Sequence, residues 1–573
     1  MSTDKTIGPA SHDDLAIFSG RIARAENPGG LIVHAVTWPK GGKLFLGKVE
    51  IFSCLRDAPA QAHVSGFAFQ FSSGDLMREP AKVPPTSNQM SRRTALRSAC
   101  GLTAVSVAGL GLVTPARAQI FSAQTRLAIP PMFDSRELGH DLSIPILRTR
   151  HEFFRGKPSV CRGFGQSYLG PTIRLYDGEA TRVRYTNMLD EPTSVHGHGL
   201  HVPGHVDGGP QSAIPAGETW DVTLPVKQQA STNWYHPHLM GSTSEQVHSG
   251  LAGLYLVEDQ NSASLPLPKT YGVDDLPLII QDRDFDHGIM VPYAATDREM
   301  MTGKREPTII VNGTVRPYFE AAKGWVRLRL LNASNARAYE FHLGNDEPFF
   351  KIATEGGFLE KPVALTSLRM VPGERNEIMI DLSDGKDRQL YADLVPTDDD
   401  FLEELFRRTA RVLQLRVRAD RTGTGTLPST LNTIERLKTQ DASVTRDFRL
   451  QMRRNHNHSN GHHSMFAING LAMDPAVINE RVRKGTVEIW RVTRDKMDHP
   501  FHVHGTSFQI LSRNNRLPRL EDQGWKDTVE VGYGWTDLIM KFDQTATDAF
   551  PFMYHCHVLE HEDAGMMGQF TVT

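Results

Sequence analysis

With 573 residues, the chain is long enough for about three or four domains. A formal charge of -3 provides no basic field for nucleic acid and no acidic tail, and 39% hydrophobic residues fit an ordinary globular protein. Four cysteines (Cys54, Cys100, Cys161 and Cys556) are too few for a disulfide scaffold, whereas many of the 24 histidines fall in pairs.

Residues 1–89 show scattered Gly and Pro without a period. They are read as mis-assigned upstream sequence, with the true start at Met90; a genuine cytoplasmic extension is the competing reading. Residues 90–118 read as an export signal. Ser91-Arg92-Arg93-Thr94-Ala95-Leu96 is a twin-arginine start, Ala95 standing where a bulky Phe is usual. The weakly apolar run Ala99 to Val113 and the small-x-small site Ala116-Arg117-Ala118 complete it. Gly, Ser and Thr within the run argue against a permanent membrane span. Cleavage would leave 119–573, with Cys161 as a free buried thiol and Cys556 to be explained.

Strand signals dominate the rest. Ile173, Leu175 and Val183-Arg184-Tyr185 alternate, and Val326, Leu328 and Leu330 alternate with Arg327 and Arg329, as in a strand with one face buried. Turns recur at Asp177-Gly178, Asn312-Gly313, Asp384-Gly385 and Asn469-Gly470. The pattern predicts an all-β chain of about three sandwiches. The expected domains are 119–260, 261–418 and 446–573, with a linker at Gln260 to Lys269 and a crossing connection over 419–445. Asp398 to Arg411 reads as a charged surface helix.

Four His-x-His pairs carry the chemistry: His196/His198, His236/His238, His502/His504 and His555/His557. In a strand, i and i+2 share a face about 6.5–7 Å apart, so each pair can serve two neighbouring metals. A single pair is usually two surface or hydrogen-bonded histidines. Four pairs, one of them flanking Cys556, are not coincidental. Eight imidazoles suffice for three metals, and the pairs lie at both ends of the chain, so such a cluster would bridge the first and third sandwiches. Cys556 alternates with His555 and His557 and so points the other way. With His561 five residues on and a Met near 566, it suits a trigonal copper site with a weak axial Met; His499 is free to be its second imidazole. Zinc is disfavoured, since eight histidines exceed a tetrahedral site.

These motifs resemble the three-domain bacterial multicopper oxidases, close to the cuprous oxidase and bacterial laccase branch, over roughly Gly170 to Thr573. The resemblance implies cupredoxin-like Greek-key sandwiches and four copper ions: one type 1, one type 2 and a type 3 pair. It assigns His499, Cys556 and His561 to type 1 with Met566 axial, Met567 being core filler. It assigns His196 and His502 to type 2, and His198, His236 and His557 to one type 3 ion. His238, His504 and His555 fall to the other. Electrons would pass from Cys556 through its backbone to His555 or His557. Asp207 and Glu562 match the family's proton-delivering acids; the bland readings are a turn aspartate before Gly208-Gly209 and a solvated glutamate.

Substrate is the ambiguous part. Asp495, Met497 and Met452 match part of a surface Cu(I) site, with Asn457 standing where Asp is usual. The Met-rich lid is replaced by the polar run 455–465, which should open the type 1 edge to bulky phenols. The expected function is therefore a laccase-like oxidase of phenolic substrates, with some Cu(I) oxidation, reducing dioxygen to water. The expected protein is a periplasmic monomer with neither nucleic-acid partner nor stable membrane insertion. A dedicated cuprous oxidase is the first alternative and a bilirubin-oxidase-like preference a variant of it. A two-domain nitrite reductase is a third alternative, against which the mature length and the full set of pairs argue. The family also includes a copper-free cell-division protein of the same fold, a structural partner, set aside here because every ligand position is filled.

Overall fold

The computed structural model describes two strand backbones near the N-terminus and residues 124–395, 408–452 and 466–573. The first unit, Met1–Gly111, contributes one antiparallel hairpin, Arg21–Glu26 with Ile32–Thr37. The export signal, the polar run 455–465 and most of the predicted helix lie outside the described residues.

The second unit, Leu112–Thr573, holds six main sheets that pair into three sandwiches of the cupredoxin type. Each sandwich contains a parallel pair inside an otherwise largely antiparallel sheet. The pairs are Asp141–Phe154 with Ala180–Asn187, Asp275–Arg283 with Trp325–Asn332, and Ala442–Met452 with Val487–Arg494. Parallel neighbours need long connections, so each pair marks a chain crossing from one sheet to the other and back. The interiors are filled by the alternating apolar residues of facing sheets: Ile173, Leu175, Val183 and Tyr185 in the first, Leu328, Leu330 and Phe341 in the second, and Trp490, Phe501 and Phe570 in the third.

Two local expectations are corrected. From Thr409 the chain is not helical but forms the strand Thr409–Thr422, paired on one side with Arg388–Leu394 and on the other with Pro317–Lys323. Val412, Leu413 and Leu415 enter the second core there, and this long-range pairing outweighs a local charge pattern. The strand Trp325–Asn332 is buried on both faces, not one. On the second face Arg327 pairs with Glu377 and Arg329 with Asp275 and Glu377, all on neighbouring strands of the same sheet, and Arg329 reaches the first sandwich by donating to Thr232 Oγ1 at 3.0 Å. A charged face can be buried only when its charges are matched this way.

Candidate metal centres

In the third sandwich, His499–Val503 runs antiparallel to Phe552–Cys556, with Phe501 opposite Cys556 and His502 opposite His555. Side chains alternate along both strands. Cys556 and Phe501 therefore face the third core, while His502 and His555 face away from it, toward the first sandwich. The first sandwich answers with the strands His196–His198 and Ser231–His236, in which His196 lies opposite His236 and Trp234 opposite His198. Two antiparallel registers thus bring four His-x-His motifs to one seam.

At the thiol, His499 Nδ1 lies 3.3 Å and His561 Nδ1 3.6 Å from Cys556 Sγ. His561 sits on the short helix Leu559–Asp563, and its Nε2–H donates to the Met301 carbonyl at 3.2 Å. Met566 packs in the same core as Cys556, while Met567 joins Met473 and Met553 elsewhere, so the two adjacent methionines face different surroundings. Burial pushes the Cys556 thiol well up and His561 down to about 4. A thiol held up in this way ionises when a bound cation displaces its proton and stabilises the thiolate.

At the seam, seven of the eight rings turn Nε2 inward and anchor or leave Nδ1 outward; His198 is reversed. His504 Nε2 and His238 Nε2 each lie 3.2 Å from His555 Nε2, and His557 Nε2 lies 3.3 Å from His198 Nδ1. His196 and His504 stack at 3.8 Å between centroids, and His198 and His502 at 3.6 Å. Outward nitrogens are tied down: His196 Nδ1 to the Asp207 carbonyl at 2.9 Å, His236 Nδ1 to the Pro237 carbonyl at 2.8 Å, and His502 Nδ1 to the Asp527 carbonyl at 2.8 Å. Trp234 stacks on His236 at 4.0 Å.

A metal fits this donor set. The inward Nε2 atoms of His196, His236 and His502 are buried without a hydrogen-bond partner. Orphaned buried nitrogens are costly unless something else satisfies them. Burial and the crowding of neighbouring rings hold His198, His236, His502, His504 and His557 well below the ordinary histidine range, and His238 and His555 at about 3. The rings are therefore neutral lone-pair donors, and imidazole with thiolate suits copper. The structure brings together His238, His504 and His555 as one triad and His499, Cys556 and His561 as another. It also groups His196 with His198 and His236, and His196 with His502 and His504, so individual rings are shared between neighbouring groupings.

The two predicted acids are both at the seam. Asp207 is buried, its Oδ2 accepting from His504 Nδ1 at 2.8 Å. Glu562 is buried 3.4 Å from His238 Nδ1 and 3.2 Å from His555 Nδ1, and burial raises its pKa. Met452 and Met497 are buried in the third core, and Asp495 Oδ1 accepts from the Met452 N–H at 3.1 Å. The edge expected to lie open is buried: His499 and His561 are both fully buried, His561 beneath the Met301 carbonyl of the helix Asp297–Thr302. Asp527 was missed by the sequence reading. It sits in Trp525-Lys526-Asp527-Thr528, which carries no ligand-like spacing, yet its side chain reaches His198.

The chain belongs to the multicopper oxidase family. Family models described as multicopper oxidase match residues 148–262 and 442–573. Among curated relatives, the cell division protein FtsP of Edwardsiella tarda (strain FL6-60) is 38% identical over 471 residues, 82% of this chain and 98% of that one. Cell division protein FtsP of Escherichia coli (strain K12) is 36% identical, covering 80% and 95%. Among solved structures, a bacterial laccase-like multi-copper oxidase CueO from Ochrobactrum sp. matches with TM-score 0.71 and 35% identity over 78% of this chain and 100% of that one. The McoA multicopper oxidase of Aquifex aeolicus matches with TM-score 0.70 and 32% identity, over 79% and 100%.

These findings overturn the laccase-like expectation. Curated relatives matching over nearly their whole length are named for cell division, the reading set aside from the ligand motifs. The motifs report a metal centre, and a centre of one geometry serves different tasks on one scaffold.

Proposed function

We propose that this chain acts in cell division, as a protein partner in the cell envelope, on a multicopper oxidase scaffold that retains its copper. The observation that carries the division role is the 38% identity across 98% of a relative bearing that name. Support for copper comes from the chain itself, through the orphaned inward nitrogens and the buried thiol between two imidazoles. The donor count suits one ion at Cys556 and three among the eight rings. When bound, copper would supply one-electron chemistry and a cross-link between the first and third sandwiches. Export through the twin-arginine signal, already folded, would let the protein carry its metal to the envelope; no helix among the described residues is long and apolar enough to cross a membrane.

The test is deletion of the gene in its own host. Elongated or chained cells, restored by a plasmid copy, are the expected result. Normal septation, with the protein spread evenly around the envelope, would contradict the proposal.

A further inference from the structure

The second sandwich gives no ring to the histidine cluster, yet one of its residues reaches it. Arg375 opens the strand Arg375–Asp381 and is fully buried. Its guanidinium makes a two-pronged contact with Asp527, Nη1 to Oδ1 at 2.7 Å and Nη2 to Oδ2 at 2.5 Å. Asp527 belongs to the third sandwich, and its Oδ1 accepts from Nε2–H of His198, in the first, at 3.2 Å. Thr528 Oγ1 lies at the same distance from that nitrogen. Arg375 also donates to the Thr232 carbonyl at 3.0 Å and to Asn233 Oδ1 at 3.2 Å, both in the first sandwich. All three sandwiches therefore meet at one buried ion pair.

The pair accounts for the reversed ring. His198 alone turns Nδ1 toward the other imidazoles, 3.3 Å from His557 Nε2, because its Nε2–H is held from behind by a carboxylate. A carboxylate only accepts, so it selects the tautomer with the proton on Nε2 and leaves Nδ1 bare for a metal. The fork of Arg375 fixes the carboxylate's plane, which a lysine's point charge would not. The backbone of Gly199 packs close against the pair. A Cβ on Gly199, whose φ is +90°, would lie 2.3 Å from Arg375 Nη2 and 2.7 Å from Asp527 Oδ2. The adjoining turn of the second sandwich presses on the cluster too: a Cβ on Gly373 would lie 2.8 Å from the His557 ring.

We propose that Arg375 and Asp527 are positioning residues that hold His198 with Nδ1 inward, so that the second sandwich controls whether the first and third can jointly retain copper. This rests on the copper reading above, and the experiment separates the two. Wild type, Asp527→Asn and Arg375→Lys are compared in two states. In the metal-free proteins, nitrogen-15 NMR of the histidine rings should show His198 protonated on Nε2 in the wild type and mixed in both variants. In the copper-loaded proteins, both variants should keep the blue absorption of the Cys556 centre and a cooperative melt. They should release copper from the histidine cluster about 10- to 100-fold more readily. An unchanged His198 tautomer with undiminished cluster copper would overturn the proposal. So would equal loss from both centres, since that would mark a merely structural role. A wild type that takes no copper, with the His198 tautomer still lost in both variants, would sink the copper reading and keep the positioning role.

Discussion

The thiol centre and the histidine cluster lie on opposite faces of the same two strands, yet they are built differently. The thiol centre draws His499, Cys556, His561 and Met566 from one sandwich, three of them within eleven residues of chain. The cluster is split between two sandwiches and is held by residues of all three. A local site inherits its geometry from one strand and the turn after it. A shared site exists only when separate domains dock in register, so its stability and occupancy depend on buried contacts far from any ligand.

The largest effect separates the two centres outright. Cys556→Ser should remove all blue absorption and the copper of that site, while electron paramagnetic resonance still reports copper among the histidines. Loss of both signals would make the centres one cooperative unit.

Acid should expose what the cluster costs without metal. Nine ligand rings (His198, His236, His238, His499, His502, His504, His555, His557 and His561) have folded pKa values below 6.5. Unfolding lets them take up protons, so their stabilising contribution is complete above pH 6.5. It is lost as pH falls toward 4, at up to about 1.4 kcal/mol per ring per pH unit. Glu560 and Glu355, raised to about 7, and Asp563, to about 6, act oppositely, stabilising at low pH and losing that contribution as pH rises. The rings outnumber the acids, so urea midpoints of the metal-free protein should drop steeply from pH 7 to pH 5. Flat midpoints over that range would mean that the rings are already charged or exposed.

Trp490→Ala should cost about 3–5 kcal/mol, since the indole is buried behind Phe448, Tyr554 and Phe570 on the thiol's side of the sheet. It should broaden the blue band before it disturbs the cluster, measured by melting alongside absorption. The smallest change is Met567→Leu, a near-isosteric swap in a separate apolar cluster, expected to cost under about 1.5 kcal/mol and to leave the blue spectrum untouched. A shifted spectrum would mean that Met567, not Met566, faces the thiol's copper.

How legible each centre was follows the same division. His555, Cys556 and His557 could be assigned to opposite faces from period two alone, and strand alternation with regular turns was enough for three sandwiches. Asp527 and Arg375 could not be found that way. Lys526-Asp527-Thr528 looks like any turn into a strand, and Arg375 looks like a solvated charge; only docking makes them partners. Arg327 and Arg329 misled for the same reason, because they meet buried carboxylates rather than water and Arg329 reaches the first sandwich. The task itself was not written in the ligands at all, since relatives named for division and solved oxidases share the scaffold.

The most direct test is the copper content of the purified wild-type chain after loading and exhaustive dialysis, read together with its colour. The account predicts a blue protein holding copper at both the Cys556 centre and the histidine cluster. A colourless protein that binds none would contradict it.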